Sequence, residues 1–492
     1  MPTPVSLLSV VLFLPLLGAF FILFIRSDDR VVAMNSRHAA LFIAGCTFLF
    51  SAVIFVHSYK SDGFKYVTDY PWLPSLGISW HIGVDKLSLG FMLLVSFLMF
   101  VSILASKRAI VSLVREYLVL ILVLETFLLI TVCAKNLFLY AVFYEGSIIL
   151  LFMLIAVFGI EKRAYSAFRF FIYAGIGIVL SISGILYLYA ETGMSSVDAL
   201  ASAEISLKTQ TALLLTFTAA FMFKAPLVPF HSWFVEAEMD SSAPVSILLG
   251  GVFTPLAVYG FLRIVYPVTP DVFETYSPYF LGIAFVSCVY SALNAFSQTD
   301  LKKIGAYAHI FLMSVIATGL FLKTRDGVSG ALYLTLMQGL AFASYTLAAG
   351  ALFLRLNIRE IGSFSGLGPL MPRLAFVFLF SCLALAGIPP SPLFLGYFFA
   401  FKALFIRHAA LFALACAAAI LLIVSLARTY IKGMLGETSL NGKSEALFAD
   451  LTLLEKILFA VLGLPLISLS LMPREVWSLV SLVVRALGLK EE

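Results

Sequence analysis

Residues 209–233 read TQTALLLTFTAAFMFKAPLVPFHSW, and residues 384–396 read ALAGIPPSPLFLG. Each is an apolar run of helical character interrupted by proline: Pro226 and Pro229 in the first, Pro389, Pro390 and Pro392 in the second. Proline has no N–H to donate and its ring clashes with the preceding turn, so both stretches predict helices that stop and restart. In lipid the freed carbonyls find no partner. A break of this kind is tolerated there only where it faces protein or a wet cavity.

Composition places these breaks in a bilayer. Hydrophobic residues make up 62 % of the 492 residues and charged residues 12 %, and Phe alone occurs 47 times. A soluble domain carries about 45–50 % and about 25 %. So few charges cannot cover a water-facing surface, and the chain reads as an all-α integral membrane protein. The low charge and high hydrophobicity exclude a disordered chain. A net charge of +5 without basic runs interleaved with aromatics excludes nucleic-acid binding; the cations belong to membrane loops. Cys46, Cys133, Cys288, Cys382 and Cys416 are odd in number and scattered, which supports neither a disulfide framework nor a metal or iron–sulfur site.

Windows of about 20 apolar residues give about fourteen transmembrane helices. They lie near 4–25, 38–57, 86–105, 115–134, 137–160, 166–190, 209–230, 243–265, 278–297, 303–322, 328–353, 372–404, 409–431 and 454–472. The first lacks a basic flank and reads as a span, not a cleaved signal peptide. The loops after odd-numbered spans hold about 18 Lys and Arg against about 10 in the even loops, which sets the odd loops in the cytoplasm and both termini outside. Lys162, Lys302, Arg355, Arg359, Lys443 and Lys456 are among those cations. Residues 58–85 then form an outer-face loop of strand or hairpin character, and the tail 473–492 an amphipathic helix along the interface.

The two breaks fall five spans apart, in spans 7 and 12. Spans 4–8 and 9–13 are therefore expected to be two repeats, and five being odd, inverted ones. The segments that follow are 1–114, with the first three spans; 115–266 and 278–433, the repeats; and 434–492, the last span and tail. Paired interrupted helices at matching positions point to a transport site.

Charges at bilayer depth cost roughly 2.5–3.5 kcal/mol on insertion scales and usually have a partner or a function. Glu145 (LYAVFYEGSII), Glu125 (LVLETFLLI) and Lys224, at the first break, are the candidates. A buried lysine loses its proton more readily, and a nearby carboxylate restores it, so a Lys whose carboxylate partner comes and goes is a proton switch. A static helix-joining pair is the structural alternative. His231 and His309 are candidate relays, or packing residues. Lys402, near the end of span 12, reads as an interface-reaching cation.

Around these residues the sequence resembles the antiporter-like membrane subunits of respiratory NADH:quinone oxidoreductase (complex I). The stretch FKAPLVPFHSWFVEAEMDSSAPVSILLGG (223–251) is similar to the pattern Lys-x-Pro-x-x-Pro-x-His-x-Trp followed by Ala-Pro-x-x-Ser. Matches are also found in FYEGSII (143–149), PWLPSLGISWHIGVDKLSL (71–89), SQTDLKKIGAYAH (297–309) and ALAGIPPSPLFLG (384–396). Length favours the subunit M, or chain 4, type. The proton-pumping subunits of cation/proton antiporters and membrane-bound hydrogenases share the motifs. The resemblance implies proton translocation coupled to electron transport from NADH to quinone, with Glu145 and Lys224 as the gating pair. It implies a translocase subunit without a redox centre: NADH, flavin mononucleotide, iron–sulfur clusters and quinone belong to partner subunits of the membrane and peripheral arms. A bacterial inner membrane is the expected location.

The sequence departs from the family in its second half. The span 8 basic position reads Thr254 or Pro255, the span 10 and span 11 histidine positions read Leu312 and Gln338, and the residue after Gly396, glutamate in subunit M, is Tyr397. Two readings follow: a translocator that uses Glu145, Lys224 and a rerouted path through His309 or Lys402, and a diverged structural paralogue that conducts no protons.

Overall fold

Polar residues at the head of several apolar runs fix where those helices begin. Asp85 accepts from Ser88 N–H at 2.9 Å, Asn136 from Phe138 N–H at 2.9 Å, Asp300 from Lys302 N–H at 2.8 Å and Thr324 from Gly327 N–H at 3.0 Å. Each satisfies a donor that the first helical turn leaves open. The computed structural model describes residues 6–61, 63–73, 78–200, 203–437 and 449–489. Lys443, residues 74–77 of the expected hairpin loop and the last three residues of the tail lie outside the described residues.

The helices are α1 (Leu7–Leu23), α2 (Asp29–Ser58), α3 (Lys86–Ala109), α4 (Val114–Cys133), α5 (Leu137–Phe158), α6 (Arg163–Thr192), α7 (Leu207–Lys224) and α8 (Ser232–Asp240). Next come α9 (Ala243–Val268), α10 (Phe273–Ser297), α11 (Leu301–Leu322), α12 (Arg325–Leu356), α13 (Pro372–Ala386), α14 (Leu393–Arg407), α15 (Ala409–Met434), α16 (Leu453–Leu471) and α17 (Arg474–Ala486). Among the described residues eleven helices are long and apolar enough to cross a membrane, and α1 and α13 are shorter apolar helices. The protein is a helical membrane protein.

Each of the fourteen apolar windows carries helix, but windows 209–230 and 372–404 are not single helices. In the first, α7 stops at Lys224 and the rest of the window is turn, with α8 starting beyond it at Ser232; the second is α13 followed by α14. Prolines divide both, as their missing N–H groups require. The loop between α2 and α3 is an antiparallel hairpin of β1 (Lys65–Leu73) and β2 (Ile78–Val84), with Asp69 opposite His81 and Tyr70 opposite Trp80.

Packing divides the chain into two compact units: Met1–Lys224 with Asp240–Leu248 and Val252–Tyr276, and Ala225–Met239 with Leu249–Gly251 and Ser277–Glu492. In the first unit α6 shows how a membrane helix is faced. Phe168, Ile172, Val179 and Leu186 are exposed on the side left for lipid, while Ala174, Gly177, Ser181 and Gly184 form a buried small-residue stripe. That stripe lets α7 approach closely: a Cβ on Gly177 would lie 3.4 Å from Lys224 Cε, and one on Gly184 2.7 Å from Phe217 Cε1. Helix α9 is buried throughout and carries two π-helical stretches, Leu249–Phe253 and Phe261–Val265. The first lies just before Pro255, where the regular ladder loses a donor.

In the second unit α11 and α12 form the interior, and α14 lies so close to α12 that a Cβ on Gly330 would meet Ala400 N at 2.5 Å. Helix α16 is fastened to α12 by Arg355, whose guanidinium donates to both Glu455 oxygens at 2.9 and 2.8 Å. Arg355, counted among the loop-flanking cations, lies in the last turn of α12 and is also the partner that holds α16. The tail helix α17 also differs from expectation. Its apolar stripe, Leu479, Val480, Val483 and Val484, is buried, and Trp477 stacks on Phe399 with centroids 4.0 Å apart. The stripe is covered by protein, because two aromatic side chains on neighbouring helices offer it a packing surface.

Candidate functional site

The last helical residue before the first break is Lys224. Its ammonium donates to Glu145 Oε1 at 2.6 Å and to Ser181 Oγ at 2.9 Å, and it lies 4.5 Å from the centroid of the Tyr144 ring. The side chains of Lys224 and Glu145 are 4 % and 7 % exposed. The three helices meet here for local reasons. Helix α7 ends because Pro226 follows two residues later, Ser181 belongs to the small stripe of α6, and Glu145 and Tyr144 are consecutive on α5.

This arrangement satisfies the ammonium better than the carboxylate. Lys224 has two oxygen acceptors and an aromatic face, whereas Glu145 Oε2 is buried with no hydrogen-bond partner among the described residues. Beside the pair lies a cavity of about 30 Å³ walled by Tyr140, Tyr144, Ser181, Lys224, Phe221 and Gly260. One water needs about 10–15 Å³ of such volume and two to four polar partners; Lys224, Ser181 and the two tyrosines supply them. A buried ion pair is worth little by itself once desolvation is counted, but its separation is energetically large, which is what a switch between two protonation states requires.

The second break differs. Gly387 takes a left-handed conformation (φ +72°) that ends α13, with Gly387 N–H donating to Ala384 O and Ile388 N–H to Leu383 O. Ser391 Oγ donates to Ala384 O at 2.8 Å, and α14 restarts at Leu393. The corresponding device at the first break is Ser287 Oγ, which accepts from Val228 N–H at 3.1 Å. A cavity of about 450 Å³ opens at the second break, lined by Phe311, Gly387, Tyr397, Phe401, Lys402 and Phe412 among others. The Tyr397 hydroxyl is buried there without a protein partner.

The other sequence candidates are placed as follows. Glu125 is fully buried on α4, and neither carboxyl oxygen has a hydrogen-bond partner in the protein. His231 is buried with its ring 5.0 Å from that of Tyr290 and 6.3 Å from that of Tyr307. His309 is sandwiched between Phe234 and Phe342, both at 4.7 Å. Lys402 does not simply extend to an interface: it pairs with Asp326 at 2.7 Å, with 47 % of its side chain exposed. Among the sequence candidates, the structure brings Glu145 and Lys224 together.

Several charged groups escaped the sequence reading. Arg263 grips Asp85 with two bonds of 2.7 and 2.6 Å. Burial raises the Asp85 carboxyl, but the Arg263 charge and hydrogen bonds outweigh it and hold the group below its ordinary range. Lys135 pairs with Asp198 at 2.7 Å, and Lys302, counted as a loop cation, is buried and donates to Glu238 O at 2.8 Å. The one available signal was a charge next to a motif, as in Arg263 after YGFL and Asp85 before KLSL. Among the described residues no group of three or more His, Cys, Asp or Glu is gathered as a metal site.

The chain can now be set beside known proteins. Residues 134–422 match the family model described as NADH:quinone oxidoreductase/Mrp antiporter, TM. NADH-quinone oxidoreductase subunit M of Rickettsia typhi is 31 % identical over 491 residues, covering 98 % of this chain and 99 % of the relative. NADH-ubiquinone oxidoreductase chain 4 of Marchantia polymorpha is 32 % identical over 85 % of this chain and 84 % of its own length. A chain of respiratory complex I from Thermus thermophilus superimposes with a TM-score of 0.86 at 25 % identity, over 98 % of this chain and all of that one. A chain of the Mrp complex from Dietzia sp. DQ12-45-1b shares the fold, with a TM-score of 0.84 at 19 % identity and 98 % of each chain covered. The broken helices, the buried Glu145–Lys224 pair and these likenesses lead to one assignment: the chain belongs to the NADH:quinone oxidoreductase/Mrp antiporter family of transmembrane subunits, on the subunit M and chain 4 side of it.

Proposed function

We propose that the chain is a membrane-arm subunit of a respiratory NADH:quinone oxidoreductase and takes part in moving protons across the bacterial inner membrane. The observation that carries this reading is the Glu145–Lys224 pair, buried at the end of a broken helix beside a water-sized cavity. In this reading the pair alternates between closed and open, and opening separates the Lys224 ammonium from its counter-ion beside the cavity. The redox steps and their cofactors belong to partner subunits, and this chain contributes a proton switch worked by energy released elsewhere. The relatives named subunit M, matched along nearly the whole chain, support the assembly.

In this reading spans 4–8 and 9–13 are inverted repeats, the segments 1–114, 115–266, 278–433 and 434–492 are the organisational units, and both termini and the β-hairpin face outside. His231, His309 and Lys402 are the second-unit proton carriers. Lys402, paired with Asp326, lines the same cavity as Tyr397, which supports an exit there. Glu125, a fully buried carboxyl whose oxygens have no hydrogen-bond partner among the described residues, is a further proton-holding group in this reading.

A second reading, a structural subunit that conducts nothing, is favoured by one observation. Leu312, Gln338 and Tyr397 line the second unit where the family carries titratable groups, and Gln338 spends its amide on Met313 Sδ.

Purification of a tagged copy in gentle detergent tests the assembly. Recovery of flavin and iron–sulfur subunits with NADH:quinone activity is expected. Recovery of small antiporter subunits alone, with sodium-dependent proton exchange in vesicles lacking NADH, would overturn it.

A further inference from the structure

A pump needs its proton chamber open to one side at a time. In the first unit the polar groups around Lys224 do not end at the cavity wall. The Tyr140 hydroxyl lies so close to Gly260 that a Cβ there would sit 2.2 Å away, and the Tyr140 ring stacks on Tyr259 with centroids 6.4 Å apart. Tyr259 in turn meets Arg263, one turn farther along α9, and Ser88 and Asp85 at the start of α3, beside the β-hairpin. Tyr140, Tyr259, Ser88 and Asp85 thus follow one another from the chamber wall to the hairpin end, joined by ring stacking at the first step and by hydroxyl contacts beyond Tyr259, and a proton path along them would discharge the chamber.

Two details show that it is closed. The single Tyr259 proton is committed sideways, to Val132 O at 2.8 Å, while its oxygen accepts from Arg263 Nε at 3.2 Å. The hydroxyl thus has no proton free to pass along the line. Arg263 itself is a guanidinium that stays charged at every physiological pH, so it neither accepts nor releases a proton. Its side chain is 11 % exposed and held on all sides. Both Nη atoms bind Asp85, Nη2 also reaches Ser88 Oγ at 3.1 Å, and the guanidinium faces the Tyr259 ring at 5.2 Å and the Phe64 ring at 5.3 Å. A second cation, Lys135, lies 4.0 Å from the same Phe64 ring. Asp85 contacts the Nη atoms, away from Nε and Tyr259, so the positive charge is presented toward the chamber and the neutralising carboxylate away from it.

We propose that Arg263, held by Asp85 and the hairpin, is a fixed-charge barrier that seals the hairpin end of the Glu145–Lys224 chamber against protons. A buried positive charge in a narrow polar line repels an oncoming proton and breaks the hydrogen-bond chain that would carry it. This inference rests on the reading of Glu145 and Lys224 as a proton station, and the two fail separately. If the station carries no protons, Lys224→Ala leaves the protons moved per electron pair unchanged; if the barrier is absent, the variants below leave the membrane tight.

The test uses the whole assembled complex in proteoliposomes without NADH, with a potential imposed by potassium and valinomycin and internal pH read by a trapped dye. The Arg263→Gln/Asp85→Asn pair keeps hydrogen-bonding groups and removes both charges; it is expected to raise proton leak several-fold over the parent. Arg263→Lys and Asp85→Asn alone keep the positive charge and are expected to stay as tight as the parent. A neutral pair that assembles and does not leak overturns the proposal. Leak from Arg263→Lys equal to that of the neutral pair also overturns it, since the seal would then be one of shape. Where the pair fails to assemble, the two single variants decide, and leak in either contradicts the barrier.

Discussion

The two breaks share a backbone and differ in chemistry. At the first, the helix stops on a lysine that is 4 % exposed and clamped to a glutamate. At the second, it stops on Gly387, the facing groups are Tyr397 and phenylalanines, and the nearest cation in the cavity wall, Lys402, is 47 % exposed. Each break carries a cis proline bond, Val228–Pro229 and Pro389–Pro390. A helix can therefore keep its interruption while its charged groups are replaced. Backbone groups at a break must be satisfied whatever passes by, and serine hydroxyls help at both places, Ser287 accepting from Val228 N–H and Ser391 donating to Ala384 O; side-chain charge is needed only where a proton is held.

The contrast is most exposed to attack at Lys224. Lys224→Ala leaves Glu145 buried without its counter-ion, and thermal unfolding of the purified complex should show destabilisation of this subunit by about 3–5 kcal/mol. Lys402→Ala, in a half-exposed pair, should change it by no more than about 1 kcal/mol. Equal effects would erase the difference between the breaks.

Replacing the first pair by apolar residues sharpens the point. Lys224→Met with Glu145→Leu removes both charges together, and such exchanges are neutral or stabilising by about 1–4 kcal/mol. The double variant is expected to unfold no earlier than the parent and still to pump fewer protons. Pumping that survives with stability would make the pair a structural clamp.

At the second break the dependence is on shape. Gly387→Ala puts a Cβ 2.4 Å from Tyr397 Cε2 at a left-handed position. Overpacking of this kind costs about 1–3 kcal/mol, readable as a lower melting temperature with NADH oxidation by surviving complexes intact. The smallest effect is expected from Tyr397→Phe, which deletes a buried hydroxyl without a protein partner. Stability should stay within about 1 kcal/mol of the parent, and a fall in protons per electron pair would mark Tyr397 as part of the exit.

Much of this was legible beforehand. Prolines after Lys224 and after Gly387 announce helix ends, because the missing N–H acts locally whatever the tertiary context. Runs of apolar residues locate the helices for the same reason, and residues 58–85 read as a loop of strand or hairpin character between two of them. The Glu145–Lys224 pair was visible as two charges inside apolar runs, each far in sequence from other charges. What stayed hidden are partners set by packing. Arg263 and Asp85 are 178 positions apart, and Arg355 and Glu455 are 100 apart. Arg355 and Lys302 look like loop cations because each sits at a helix end, where hydropathy has already fallen. The tail helix has an amphipathic pattern that serves a membrane surface or a protein surface equally, and only the stacking of Trp477 on Phe399 distinguishes them.

The most direct measurement is the number of protons moved per electron pair by proteoliposomes that contain the assembled complex with Lys224→Ala, beside the parent and Lys402→Ala. A lower ratio for Lys224→Ala, with NADH:quinone turnover still present and a smaller change for Lys402→Ala, is the predicted result. An unchanged ratio for Lys224→Ala would contradict the account and leave the buried pair as a joint between helices.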